Sequence, residues 1–337
     1  MYTALYDPRA TGDLIAQNRV RTSYLARIPL ANRAFRALAP LYPGAFESFD
    51  FSGFDTIVSS TTAWAKGIIV PPTSVHVCYV NTVSRFAFAY DEYVGALAGS
   101  RGGMLARAAR RIVDRLVEWD RAAAQRPTVL VANSHNVAGR IRTFYGREAE
   151  VLPCPVDVER FSIGTGGGDY FFIASRLLPY KRVERAIDAA QLAGVKLLVA
   201  GSGPAENELR ERARGTTTTM LGFVDDARIN ALLGESRAAV LPGEEDFGLL
   251  PLEAAAAGRP TIAYRAGGAL ETIAERTTGA FFDEPTAESL ARAMRDFDEH
   301  RFDAAVLRAH AEQFAPQRFI ERLRAIVDRV RAEYTPS

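Results

Sequence analysis

Between Tyr170 and Phe282 the chain repeatedly sets a short apolar run against a longer stretch of helical spacing, and few folds accommodate that alternation. The runs Tyr170–Ala174, Lys196–Ala200, Ala238–Leu241, Thr261–Ala263 and Ala280–Phe282 are closed by Gly, Pro or Ser. Continuous apolar runs of this length are the signature of parallel strands buried on both faces. Helical patterns fall around them at 182–192, 205–213, 226–233, 249–257 and 286–298. Short connections between parallel strands require right-handed crossovers, so the pattern predicts an α/β chain with a doubly wound sheet.

The first half repeats the theme less regularly. Strand-like runs lie at Thr56–Ser59, Val75–Val80, Thr128–Ala132 and Glu150–Leu152, with helices expected at 104–124 and 135–144. A chain of 337 residues is long enough for two cores. We expect one domain over 1–160, rejoined by a last helix within 317–337, and a second over 169–315. Leu152–Phe161 reads as the crossing between them. Residues 163–168, Ile-Gly-Thr-Gly-Gly-Gly, read as a flexible linker.

One feature breaks the pattern. A doubly wound domain opens with its central strand and a Gly-rich turn, whereas this chain opens on Met1–Tyr6, a short strand at most, and then polar loop. The first domain is therefore expected to lack its opening βα unit. A missing central strand would leave two neighbours with unpaired backbone groups. Another segment, or a partner chain, is expected to fill that slot.

Composition narrows the function classes. The net charge of +1 gives no reason to expect nucleic acid as a partner. Residues 1–165 hold 19 Arg and Lys against 14 Asp and Glu, a mild basic excess that the second half reverses. Cys78 and Cys154 lie in no paired spacing, which suits a reducing compartment. Neither a basic leader with an apolar stretch nor a run of about 18 apolar residues occurs, so a cytoplasmic protein is expected.

The densest chemical signal is Pro242-Gly-Glu-Glu-Asp-Phe-Gly-Leu-Leu-Pro-Leu-Glu253, between an apolar strand and an Ala-rich helix. A helix N-terminus offers unpaired amides and a positive dipole end, a natural seat for a diphosphate. Glu245 and Glu253 would repel that anion and suit sugar hydroxyls better. A helix with acidic residues in its first turn is the plain alternative. Lysine is rare: Lys66, Lys181 and Lys196 are the three. Arg176 and Lys181 follow the strand at Tyr170, where ligands of open α/β sheets bind, and could neutralise a departing nucleoside diphosphate. A solvated basic cap is the alternative, and Arg182 is read that way. Gly201-Ser202-Gly203-Pro204 marks a strand-to-helix turn. Asp225-Asp226 reads as a helix N-cap, and the four histidines show no metal-ligand spacing.

Glu245 through Glu253 resembles the E-x7-E motif of retaining glycosyltransferases of family 4, which have the GT-B fold of two facing Rossmann-like domains. Phe51–Gly67, Cys78–Tyr93, Val131–Phe161, Ser175–Arg182, Gly201–Pro204 and Gly258–Thr272 are similar, in order, to segments of a bacterial subgroup that builds surface polysaccharides. The resemblance implies that Glu245 lies beside the transferred sugar and Glu253 on the nucleotide ribose. It assigns the amides of Phe247, Gly248 and Leu249 to sugar and phosphate. Arg176 and Lys181 would take the leaving diphosphate, with Gly201 and Gly203 shaping the nucleotide pocket. It also implies a GDP- or UDP-hexose donor, GDP-mannose by subgroup, with no cofactor and no metal. The acceptor would be a glycan or a polyprenyl-linked sugar.

The acceptor side departs from that family. Asn81 stands where relatives carry His, with Arg85 beside it, and Asn cannot carry a proton at neutral pH. The alternatives are a start placed too far downstream, a working variant, or a degenerate non-catalytic protein that still binds nucleotide-sugar. A sugar-nucleotide epimerase is a third class, disfavoured by the few histidines. Met104–Ala124, with Arg107, Arg110, Arg111 and Arg115 beside Ile112, Val113 and Leu116, could rest on anionic lipid at the inner membrane face. A core-packed helix is the competing reading.

Overall fold

The computed structural model describes residues 1–11, 15–35, 37–84, 86 and 104–334. The chain divides into two compact units: residues 1–133, 137–151 and 324–337, and residues 134–136 with 152–323.

The first unit opens with a small parallel pair, β1 (Tyr2–Thr3) and β2 (Arg21–Thr22). A single turn, α1 (Pro8–Thr11), short 3-10 turns and α2 (Tyr42–Glu47) complete this region. Tyr2 anchors the pair by setting its ring 5.3 Å from Phe49 and 4.8 Å from Phe51. The main sheet follows: β3 (Thr56–Thr61), β4 (Val75–Val80), β5 (Val129–Ala132) and β6 (Glu150–Val151), all parallel and side by side in chain order. Every residue of β4 is buried. This corrects the expected central slot. Among the described residues β3 to β6 pair consecutively, so the sheet ends on β3 as an edge, where Val58 is 49% exposed, and no gap between these strands is left to fill.

Two helices cover this sheet. In α3 (Met104–Ala123) the apolar stripe turns inward, and Ala109, Val113 and Leu116 pack with Phe86 and Trp64. Arg107, Arg110, Arg111 and Arg115 are exposed. Of the stripe that could have met lipid, Val113 and Leu116 are core residues, while Ile112 is 37% exposed. In α4 (His135–Tyr145) the residues Val137, Ile141 and Tyr145 are buried against Cys78, Val80 and Leu130. Beneath α3 lies an ion pair sealed from solvent: Lys66 Nζ contacts Asp120 Oδ1, with side chains 1% and 0% exposed. Ser84 Oγ bridges the two, 3.0 Å from Lys66 Nζ and 2.6 Å from Asp120 Oδ1. Burial pushes the Lys66 ammonium below its ordinary pKa, and Asp120 pulls it back.

The second unit is a six-stranded parallel sheet. Its strands are β7 (Tyr170–Ala174), β8 (Lys196–Ala200), β9 (Thr218–Gly222), β10 (Ala238–Leu241), β11 (Thr261–Tyr264) and β12 (Gly279–Phe282), in the spatial order β12-β11-β10-β7-β8-β9. The connecting helices are α5 (Val183–Ala193), α6 (Glu206–Ala213), α7 (Asp226–Glu235), α8 (Leu249–Ala256), α9 (Ala269–Thr272), α10 (Ala287–Arg295) and α11 (Ala304–Glu312). Alternate residues of one strand serve both faces. Phe171 and Ile173 pack with Ile187, Val240 and Leu290, while Phe172 packs with Leu233, Leu252 and Leu307. Helices thus lie on both sides, as a doubly wound sheet requires.

Residues 163–168 are not a free linker. The amides of Gly164, Gly166 and Gly168 donate to Ala257 O, Gly234 O and Glu235 O at 3.0, 3.2 and 2.9 Å. A Cβ on Gly164 would lie 2.1 Å from Gly234 O, so glycine there serves close docking of the strap. The crossing residues Val156, Val158 and Phe161 are likewise buried in the second unit's core. The last helix, α12 (Pro316–Glu333), belongs to the second unit up to Leu323 and to the first from Arg324. Of its apolar stripe Val330 is buried, while Ile320 is 44% exposed.

Candidate functional site

The order of the second sheet creates a switch point. From β7 the chain builds outward through β8 and β9, then crosses back to place β10 on the other side of β7. Loops leaving the carboxyl ends of two such strands part from each other and leave a crevice. Ser175–Lys181 follows β7, and Pro242–Gly248 follows β10. Residues 64 apart in sequence therefore meet, and Lys181 Nζ pairs with Glu245 Oε1. Their side chains are 19% and 13% exposed, so the pair is shielded but reachable. The Glu245 loop is held from behind, where Gly268 N donates to Glu245 O at 2.8 Å and Arg185 Nη1 to Pro242 O at 2.5 Å.

Arg176 is exposed at the wall of a cavity of about 480 Å³, together with Ser175, Gly201, Gly203, Phe223 and Glu253. The turn after β8 can reach this wall because of its glycines. Gly201 sits at φ 131°, and a Cβ there would lie 1.8 Å from Ser175 O. A Cβ on Gly203 would lie 2.3 Å from Leu177 O.

The N-terminus of α8 opens without a side-chain cap, its capping residue being Gly248 at φ 89°. Its first-turn amides are left for another acceptor, apart from Pro251, which has none. Phe247 turns its ring into the core, 6.2 Å from Phe314, so what it offers a ligand is backbone, while Leu249 is 42% exposed. Four residues further on, Glu253 is three-quarters covered. Burial pushes its carboxyl above the ordinary range, and Arg160, with Nη2 at 3.6 Å, works against that shift.

Arg160, Ser175, Phe223 and Asp226 are cavity residues that the sequence reading missed. Arg160 also contacts Asp226 at 3.3 Å, and its neighbours Asp157 and Glu159 had marked it as part of a crossing. Of the acidic dipeptide read as a cap, Asp225 does cap α7, accepting from Arg228 N at 2.8 Å, whereas Asp226 lines the cavity. Ser175 Oγ is buried without a hydrogen-bond partner among the described residues. Phe223 is 81% exposed at the cavity edge. Arg182 turns to Glu184 at 3.6 Å and is half exposed.

In the first unit, Asn81 follows β4 and acts as a brace. Its Nδ2 donates to Ser60 Oγ at 3.0 Å and to Thr61 O at 3.3 Å, tying β4 to β3. Arg85 lies outside the described residues.

Residues 156–316 match the family model of glycosyl transferases group 1. The match covers the sheet, the switch-point crevice and α8. Among curated proteins, the chain is 30% identical over 216 residues to glycogen synthase of Mycobacterium tuberculosis, covering 59% of this chain and 51% of that protein. It is 36% identical over 154 residues to the GDP-mannose-dependent alpha-(1-6)-phosphatidylinositol dimannoside mannosyltransferase of the same species, covering 42% and 39%. The chain thus spans about half, or less, of the length of these curated relatives. Among solved structures, sucrose-phosphate synthase from Thermosynechococcus elongatus superposes with a TM-score of 0.69 at 17% identity, covering 94% of this chain and 84% of that one. Anabaena HepE in complex with UDP superposes at 0.61 and 18% identity, covering 92% and 85%. At such identities the likeness speaks for the fold, which is mixed α/β with parallel sheets, of the GT-B type.

Proposed function

We propose that the chain is a retaining, metal-independent glycosyltransferase that moves a hexose from a nucleotide-sugar, GDP-mannose by preference over a UDP-hexose, to a glycan or polyprenyl-linked acceptor. The observation that carries the reading is the meeting of Lys181 with Glu245 at the switch point, next to an uncapped helix. In this reading a diphosphate takes the uncapped amides of α8 and draws Lys181 partly away from Glu245. Arg176 supplies the second cation, from the wall that Gly201 and Gly203 shape. Glu245, released from full pairing, orients the hexose, with the Phe247–Leu249 backbone beside it. Glu253 accepts from the ribose hydroxyls. As the sugar–phosphate bond breaks, the two cations stabilise the charge growing on the leaving group. The acceptor oxygen then bonds to the same face of the sugar, and its proton leaves with the diphosphate. In this reading the charge work falls to cations of the chain, Arg176 and Lys181.

A second reading is a protein that binds the donor and does not turn it over. It draws on Asn81, whose amide is committed to β3 and carries no titratable proton. Calorimetric titration with GDP, UDP, GDP-mannose and UDP-glucose, followed by product analysis against a pool of glycan and lipid-linked acceptors, tests both. Donor binding lost in Lys181→Ala, with turnover in the parent chain, is expected. Binding without turnover selects the second reading, and no binding of any nucleotide refutes both.

A further inference from the structure

We propose that residues 19–46 of the first unit form a docking surface for an anionic lipid bilayer. The proposal concerns where the chain sits and does not rest on the transfer reaction above.

The first ground is charge. Residues 14–46 contain five arginines, at 19, 21, 27, 33 and 36, and not one Asp, Glu or Lys. In a chain whose net charge is +1, so long a stretch of one sign is a local choice. Arg19, Arg21, Arg27 and Arg33 are exposed, and the Arg36 side chain lies outside the described residues.

The second ground is apolar exposure in the same stretch. Tyr24, Ile28, Leu30, Phe35 and Leu41 are each more than a third exposed, Leu30 at 68%. Tyr24 Oη donates to Leu41 O at 3.2 Å, which brings two of these residues together across the segment. Leu30 adds a third ground. It sits at φ 59°, a region that bulky side chains avoid, and the amides of Arg33 and Ala34 fix it there by donating to Leu30 O at 2.9 and 3.0 Å. Backbone strain is thus held in place to display a leucine.

The chemistry selects lipid among the candidate partners. Aliphatic side chains among guanidinium groups fit the headgroup boundary of a bilayer, where the former insert and the latter meet phosphate. A second copy would bring five like charges against five. A single-stranded nucleic acid could stack on Tyr24 and Phe35 but would leave Ile28, Leu30 and Leu41 in water, whereas a bilayer boundary buries all five. The rival surface on α3 is poorer in apolar side chains, since Val113 and Leu116 are core residues and Ile112, at 37%, is the exposed one among the described residues.

Flotation of the full chain with vesicles tests this. One set is neutral phosphatidylcholine, and the other contains one third phosphatidylglycerol. Binding to the anionic set alone, reversed by high salt, is expected. Each arginine near such a surface is worth about fivefold in partitioning, so Arg27→Gln/Arg33→Gln should bind about 25-fold more weakly. Leu30→Ser should weaken binding without changing the thermal melt, which keeps misfolding separate. Arg107→Gln/Arg111→Gln should bind like the parent chain. Equal binding to neutral vesicles, no binding to either, or loss only with the Arg107/Arg111 pair overturns the proposal. So does a concentration-dependent dimer in sedimentation that Leu30→Ser dissolves. Donor titration of the same variants is expected to be unchanged, so this proposal and the proposed function fail separately.

Discussion

Acidification should destabilise the first unit through His76. His76 is fully buried in β4, with Nε2 facing Ser59 Oγ at 2.8 Å and Nδ1 without a partner among the described residues. A charged imidazole would need an acceptor at each nitrogen, and the site supplies one. Burial accordingly holds its pKa down at about 4, against 6.5 for the free side chain. With the folded value below the unfolded one, the stabilisation is complete above the unfolded pKa. It is lost as pH falls toward the folded value, because the unfolded chain then binds a proton that the native one refuses. The whole interval is worth about 3 kcal/mol at about 1.4 kcal/mol per unit, and about 2 kcal/mol of it should be gone by pH 5. The assay can be confined to this unit, since both tryptophans, Trp64 and Trp119, lie in it. Urea unfolding followed by tryptophan emission at pH 7 and pH 5 should show the parent chain losing about 2 kcal/mol more than His76→Gln. Gln keeps a partner for Ser59 but cannot take the proton. Equal losses in the two proteins would refute the reasoning.

Further outcomes follow from the same geometry. Asp120→Ala strands the Lys66 ammonium in the core and should cost about 3–5 kcal/mol by the same emission assay, whereas Lys66→Met/Asp120→Leu should come within about 1 kcal/mol of the parent. Gly201→Ala drives a Cβ into Ser175 O at an unfavourable φ and should cost about 3 kcal/mol or more, read by circular dichroism melting, with donor affinity lost as well. Arg160→Gln removes the cation that opposes the burial of Glu253, so the Glu253 carboxyl should titrate at higher pH and the pH midpoint of donor affinity should rise. An unchanged midpoint in calorimetry would show that Arg160 does not act through Glu253.

What the sequence disclosed, and what it hid, divides along one line. Strands covered on both faces announce themselves, because most residues that survive there are apolar, and five of the six strands of the second sheet were readable as runs. The sixth, β9, is an edge strand written Thr-Thr-Met-Leu-Gly, and its threonines, Thr218 buried and Thr219 exposed, carry no such signal. Glycine proved ambiguous for a physical reason. The residue that frees a backbone is also the residue that lets two backbones touch, so Gly164, Gly166 and Gly168 read as a linker yet form a docked strap. Charge behaved in the same way. Lys66 gave no sign of being buried, because its solvent is Asp120, 54 positions away, and Arg160 hid among acids until the fold set it beside Glu253. Lys181 and Glu245 could be nominated from sequence because each follows a strand, but their meeting depends on which strands are neighbours. Had β10 been laid beyond β9 instead of beside β7, the same local sequences would have carried the two residues to separate edges. The crossover that reverses the sheet is therefore the step at which local pattern becomes a site, and it is the step that local pattern does not record.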